Sequence, residues 1–196
     1  MLRFVSQDVP NKILLAMPWT ELSLLIVLLS AVISIVFYTL KTGISPMPSS
    51  GKARREVMAY LEQHYGDKQG ETLVDLGCGW GNLIIPLARR FPQHQVVGYE
   101  LSVLPWLFCL AVKHLLKLNN LSLHRKNFLR QPLPTDSILL SFLHPKGMKN
   151  LSNHLEQQSC RKLISIFFAL PNFQAEQVMR LKDLYQTPVY IYPLQK

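Results

Sequence analysis

Between Leu22 and Leu40 the chain carries nineteen consecutive residues without a charge, all apolar except Ser23, Ser30, Ser34 and Thr39. At about 1.5 Å per residue a helix of that length covers roughly 28 Å, close to the hydrocarbon thickness of a bilayer. A helix buried in a soluble core would normally keep a polar face, and this run has none. The pattern predicts one transmembrane helix over 22–40, preceded by an N-terminal flank at 1–21. Residues 41–51 are turn and breaker residues and read as a linker.

From residue 52 to 196 the periodicity changes and a single domain is expected. Val57, Met58, Leu61 and Tyr65 recur at helical spacing among charges, and Gly66 closes that helix. Strands then alternate with helices. Strands are expected at Thr72–Asp75, Gln95–Glu100, Leu121–Arg125, Ser137–Leu143, Lys162–Leu170 and Pro188–Tyr192. Leu83, Ile84, Leu87, Ala88 and Phe91 share one helix face, and Leu104–Leu118 reads as a second, mostly buried helix. Weaker helices are expected at Asn150–Gln157 and near 174–185. This alternation implies an α/β fold with a Rossmann-like, mostly parallel twisted sheet flanked by helices, preceded by one transmembrane helix.

The 196 residues leave room for one domain and an appendage. Tyr38–Thr42 lacks the small residues of a signal-peptide cleavage site, so an uncleaved anchor is expected. Lys41, Lys52, Arg54 and Arg55 follow the run, against Arg3 and Lys12 before it. That bias predicts a single-pass membrane protein with its domain on the cytoplasmic (or matrix) side. The net charge of +9 falls entirely after the anchor, where a basic surface is attracted to anionic headgroups. The basic residues lie in scattered pairs without a reading motif, so membrane lipid is expected as a partner and nucleic acid is not. Cys78, Cys109 and Cys160 are odd in number and far apart, and neither they nor the six histidines show the spacing of a metal site.

Chemistry concentrates in Leu73-Val-Asp-Leu-Gly-Cys-Gly-Trp-Gly-Asn82. Three alternate glycines between a strand and a helix can take positive φ and let a ligand lie on the backbone. The N–H groups at the start of the following helix would favour an anionic group. Glu100 ends the next strand nineteen residues after Gly81, the place of the ribose-binding acid in nucleoside-binding α/β folds. A dinucleotide site would space its glycines as Gly-x-Gly-x-x-Gly; here Asp75, Gly77, Gly79 and Gly81 run as Asp-x-Gly-x-Gly-x-Gly.

That order resembles motif I of the class I S-adenosylmethionine-dependent methyltransferases over about residues 70–170. The resemblance implies S-adenosylmethionine as cofactor, its methionine end against Asp75, Gly77, Cys78, Gly79, Gly81 and Asn82. Its ribose would meet Glu100 and Leu101, and its adenine would lie near Asn127 and Phe128, where an acid is frequent. Trp80 within the turn is unusual and would shape the cofactor's floor. The anchor, the Pro48-x-Ser50 linker and Tyr99-Glu-Leu-Ser-Val-Leu-Pro-Trp106 also resemble a narrower group. These are the membrane-anchored protein-lysine methyltransferases of mitochondria that modify the ATP synthase c-subunit and the adenine nucleotide translocase. Trp80 and Asn127 depart from that group.

Methyl transfer from a sulfonium asks chiefly for positioning and the exclusion of water, so no dedicated catalytic base is required. Ser50, His144 and Pro145 are the candidates for the substrate cleft, His144 as a group that orients or deprotonates a nucleophile. Pro171-Asn172-Phe173 would line the same cleft or serve as a plain turn. Only 26 residues follow Leu170, too few for a lid, and an open cleft suits a large or membrane-borne acceptor. The expected reaction is methylation of an acceptor at the membrane surface, foremost a protein lysine. A lipid, quinone or other small acceptor, or an inactive cofactor-binding scaffold, is the alternative.

Overall fold

The computed structural model describes residues 19–42, 51–183 and 185–195; within 19–42 the described side chains are those of 19–30, 32, 33 and 36. Two compact units are distinguished, Met1–Ile33 and Ser34–Lys196. The expected anchor is helical, inside the longer helix α1 (Trp19–Thr42). Ser23 and Ser30 turn their hydroxyls back onto the carbonyls of Thr20 and Val27, at 2.9 and 2.8 Å, which lowers their polarity toward the surroundings. Among the described residues no helix is long and apolar enough to cross a membrane. Ser50 and the linker residues 43–50 lie outside the described residues.

In the second unit α2 (Gly51–Tyr65) buries Ala53, Val57, Tyr60, Leu61 and Tyr65. Then follow β1 (Thr72–Leu76), α3 (Ile84–Arg90), β2 (Gln95–Tyr99), α4 (Val103–Leu115) and β3 (Leu121–His124). A single 3₁₀ turn at Phe128–Arg130 leads to β4 (Ile138–Ser141), α5 (Pro145–Leu155), β5 (Lys162–Ile166), β6 (Gln177–Arg180) and β7 (Pro188–Pro193). The sheet order is β3-β2-β1-β4-β5-β7-β6. β1 to β5 pair in parallel, and β7 runs antiparallel to both β5 and β6. One core layer gathers α2 and α3 against the sheet and the other gathers α5. This covering of both faces explains why β4 is buried at every position, its apolar run Ile138–Leu140 closing on a buried Ser141.

Four expectations change. The segment expected as a helix near 174–185 contains β6, held by pairing Gln177–Arg180 with β7. It is mostly exposed, so it carries no hydrophobic period, and only the tertiary partner selects the strand. α5 begins at Pro145, five residues before the expected start, because proline suits the first helical turn. β5 stops at Ile166 rather than Leu170, since Phe167 takes φ 76° and leaves the ladder. α4 is not mostly buried: of its residues only Pro105 and Cys109 are, while Leu107, Phe108 and Leu115 face outward.

Candidate functional site

The sheet's order reverses at β1, with β2 on one side and β4 on the other. Ligands of open α/β sheets bind outside the carboxyl ends of the strands at such a reversal. The glycine turn stands there. Gly77, Gly79 and Gly81 all have positive φ, at 86°, 52° and 80°. A Cβ at Gly79 would meet nothing within 4 Å, and one at Gly77 would only touch Leu143, at 3.4 Å. The turn therefore presents bare backbone toward open space. Gly81 serves packing instead: a Cβ there would lie 2.4 Å from Ile85 and 2.8 Å from the Cys109 sulfur.

The N–H groups within the turn, as distinct from those that start α3, have partners in the protein. The Gly77 and Cys78 N–H groups both donate to the Tyr99 carbonyl at 2.9 Å, and the Gly81 N–H donates to Cys78 O at 2.9 Å. The Gly79 N–H donates to Glu100 Oε2 at 2.8 Å. The protein itself engages these donors, which sets the turn's shape in advance. Glu100 is the pivot, since its Oε1 also accepts from the Ser102 N–H at 2.7 Å. Each carboxylate oxygen accepts more than one hydrogen bond, so capacity remains for a ligand hydroxyl.

Asp75 sits beneath the turn, 4% exposed, and its Oδ2 has no hydrogen-bond partner. Burial, and secondarily the charge of Glu100, push its carboxyl up to about 7. A buried carboxyl oxygen without a partner costs stability unless something else satisfies it. Behind it Cys78 and Cys109 meet, and their contact together with burial pushes the Cys78 thiol up. Cys109 also donates to the Gly79 carbonyl at 3.3 Å.

The other expected residues divide. Asn82 is exposed at the end of the turn, and Leu101 is half-buried beyond Glu100. Asn127 is engaged by its own chain: its Oδ1 accepts from the Leu129 N–H at 3.0 Å, capping the 3₁₀ turn, and Phe128 packs into the core. Trp80 does not lie inward; it is 37% exposed and meets Phe108 of α4 edge-on, with ring centroids 5.5 Å apart. His144 and Pro145, at the carboxyl end of β4, are exposed. Phe168, beyond β5, stands 6.0 Å from the His144 ring and 4.9 Å from that of Phe167.

Three residues escaped the sequence reading. Arg54 of α2 donates to the Asn82 carbonyl at 3.1 Å and ties that helix to the turn. Gly98 gives room to its neighbours: a Cβ would come within 2.4 Å of Ile84 and 3.1 Å of the Cys78 sulfur, so those side chains would have to shift. Cys109 joins α4 to the turn. A glycine inside an apolar strand was the one visible signal; the partners of Arg54 and Cys109 lie 28 and 30 residues away. Among the described residues no group of three or more His, Cys, Asp or Glu comes together as a metal site.

A family model described as the ANTKMT methyltransferase domain matches residues 75–177, more than half of the chain and all of this strand-end region. The chain belongs to this family. It carries this family's methyltransferase domain, whose cofactor is S-adenosylmethionine. Among curated proteins it is similar to tRNA (guanine-N(7)-)-methyltransferases. That of Dictyostelium discoideum is 30% identical over 119 residues, covering 58% of this chain and 34% of that protein. That of Schizosaccharomyces pombe is 29% identical over 105 residues, covering 54% and 36%. The chain spans about a third or less of the length of the curated relatives it matches. Its fold is similar to an RNA methyltransferase from Salinibacter ruber in complex with S-adenosyl-L-homocysteine. The TM-score is 0.60 at 15% identity, over 76% of this chain and 95% of that one. Magnesium protoporphyrin IX methyltransferase from Synechocystis PCC 6803 gives a TM-score of 0.57 at 19% identity, over 73% and 78%.

The residues present fit the family's cofactor. The unpartnered Asp75 oxygen is what the ammonium of an amino-acid end would satisfy, and the absence of side chains at Gly77 and Gly79 leaves room for that end against the turn. Glu100 would hold a ribose hydroxyl. When bound, S-adenosylmethionine supplies a methyl group on a sulfonium, already activated for in-line displacement. The chain's own part is to fix the turn and keep Asp75 dry.

Proposed function

We propose that this methyltransferase acts on a lysine side chain of a protein presented at a membrane surface. The observation that carries the reading is the ring cluster of Phe167, Phe168 and His144 just beyond β4 and β5, which we read as the mouth that receives the acceptor. An amine must lose its proton before it can attack the methyl carbon. An apolar, aromatic mouth favours the neutral amine, because desolvation disfavours ammonium. It also receives a long methylene side chain. The likeness of the Pro48-x-Ser50 linker and of Tyr99–Trp106 to protein-lysine methyltransferases supports the same acceptor.

The membrane setting rests on the uncharged run at 22–40, helical within α1, and on the excess of Lys and Arg after it. On this proposal α1 is a single-pass anchor with the catalytic domain on the cytoplasmic or matrix side. An RNA acceptor is the second reading, favoured by the tRNA methyltransferases among the relatives.

The deciding experiment incubates the full chain in vesicles with methyl-labelled S-adenosylmethionine and, separately, membrane proteins, a total lipid extract or tRNA. Label is expected in methyl-lysine after acid hydrolysis of the protein fraction, reduced at least tenfold by Phe168→Ala. Label in the lipid extract or in tRNA, with none in protein, would overturn the lysine assignment.

A further inference from the structure

α4 has more apolar surface outside than a packed helix should. Leu104, Phe108, Ala111 and Leu115 fall at i, i+4, i+7 and i+11 and share one stripe. Phe108 is 46% exposed, Leu115 80%, and the neighbouring Leu107 45%. At the catalytic end the stripe continues onto Trp80, which meets Phe108 edge-on. A contiguous apolar strip of this kind on a folded domain marks an interaction surface.

The charges around it are one-sided. From Leu101 to Thr135 there is no Asp or Glu, while Lys113, Lys117, Arg125, Lys126 and Arg130 all fall in that stretch. It comprises α4 and the edge strand β3, so one edge of the sheet is apolar along its helix and basic beside it. We propose that this edge is a membrane-docking surface: the α4 stripe enters the headgroup region of an anionic bilayer while the flanking lysines and arginines meet lipid phosphates.

The same observations argue against the other occupants. A second copy across a two-fold axis would bring Lys113 and Lys117 near their own counterparts, with no acid to answer them. Nucleic acid would use the cations but leave Leu107 and Leu115, which cannot stack on bases, projecting without a partner. A bilayer takes both components at once. Because α4 starts just beyond Glu100, docking along the stripe sets the glycine turn and the acceptor mouth at the lipid surface. The inference depends neither on the identity of the acceptor nor on α1 spanning the bilayer.

The test places a nitroxide on full-length protein at Leu115→Cys, with Glu156→Cys on the exposed end of α5 as reference. The native cysteines are buried and leave the introduced thiol as the reactive one. The protein is reconstituted in phosphatidylcholine vesicles with or without phosphatidylglycerol. With the anionic lipid, the label at 115 is expected to lose accessibility to a water-soluble nickel chelate at least threefold relative to that at 156, and to gain it for oxygen. Lys113→Gln with Lys117→Gln should reverse most of that change. Equal nickel accessibility at the two positions in anionic vesicles would overturn the proposal. Spin–spin broadening between copies would assign the face to a second chain. Protection appearing only when an RNA oligonucleotide is added would assign it to nucleic acid. Alkaline extraction from the same vesicles reports α1 separately, so failure of the anchor and failure of the α4 surface are distinguishable.

Discussion

Asp75 and Glu100 face one turn but work in opposite ways. Glu100 has both carboxylate oxygens engaged by backbone N–H groups, whereas Asp75 keeps an oxygen buried and unpartnered. A carboxyl raised to about 7 is held protonated in the fold at pH values where the unfolded chain has released its proton. Stability from this group is therefore full below the ordinary carboxyl range and declines as pH rises from about 4 toward 7. Asp75→Asn should thus gain on wild type as pH rises from 5 to 8, by about 2–4 kcal/mol of differential stability. Thermal unfolding of both proteins at the two pH values measures this; an unchanged gap would mean that Asp75 is ionised in the free protein. The cofactor's ammonium favours the ionised form, so S-adenosylmethionine affinity should fall toward tenfold per pH unit below 7, with proton release on binding. Calorimetry in buffers of different ionisation enthalpy reads that release. Glu100→Ala removes the acceptor for Gly79 as well as for the ribose and should weaken binding about 10–100-fold. Glu100→Gln, which keeps one acceptor oxygen, should weaken it less.

Within the elements, the glycines of the turn have separable duties. Gly81→Ala would force a methyl group against Ile85 and Cys109 at a positive φ, and should cost about 2–3 kcal/mol of stability. Gly79→Ala points into open space, so it should fold with a loss nearer about 1 kcal/mol while weakening S-adenosylmethionine binding. Melting curves paired with cofactor titration separate the two; equal melting temperatures would refute the packing role of Gly81. At the other end of the sheet Arg161, which precedes β5, bonds Glu71 before β1 at 2.8 Å and also grips Asp136 before β4. These ion pairs hold its guanidinium charged. Arg161→Met should lower stability by about 1–3 kcal/mol and leave cofactor affinity unchanged, because the clamp lies at the strands' opposite ends.

On the scale of the molecule, the two membrane proposals, the anchor and the α4 surface, are tested apart. If α1 spans the bilayer, the full chain should resist alkaline extraction, and protease added on the domain's side should remove the domain and leave a protected fragment containing 22–40. Complete release at high pH would count against the span. The fold's class was legible because each buried strand of the parallel sheet is a local apolar run and each covering helix a local stripe, as Leu83 to Phe91 show. The turn was legible because glycine takes positive φ without the steric cost other residues meet, so three alternate glycines, Gly77, Gly79 and Gly81, mark it without any partner in view.

What the sequence by itself determined, then, is what local physics dictates: the alternation of strand and helix, the Asp-Gly turn, the acid that ends β2 and the uncharged run at 22–40. Only the tertiary structure decided the rest. It placed β6 beside β7, turned Asn127 back onto its own chain, faced Trp80 and the α4 stripe outward, and joined Arg54 and Cys109 to the glycine turn. Each of those outcomes depends on a partner distant in sequence or on which side of an apolar helix finds a neighbour. Hydrophobic periodicity shows that a face is apolar; only packing determines whether another element covers it.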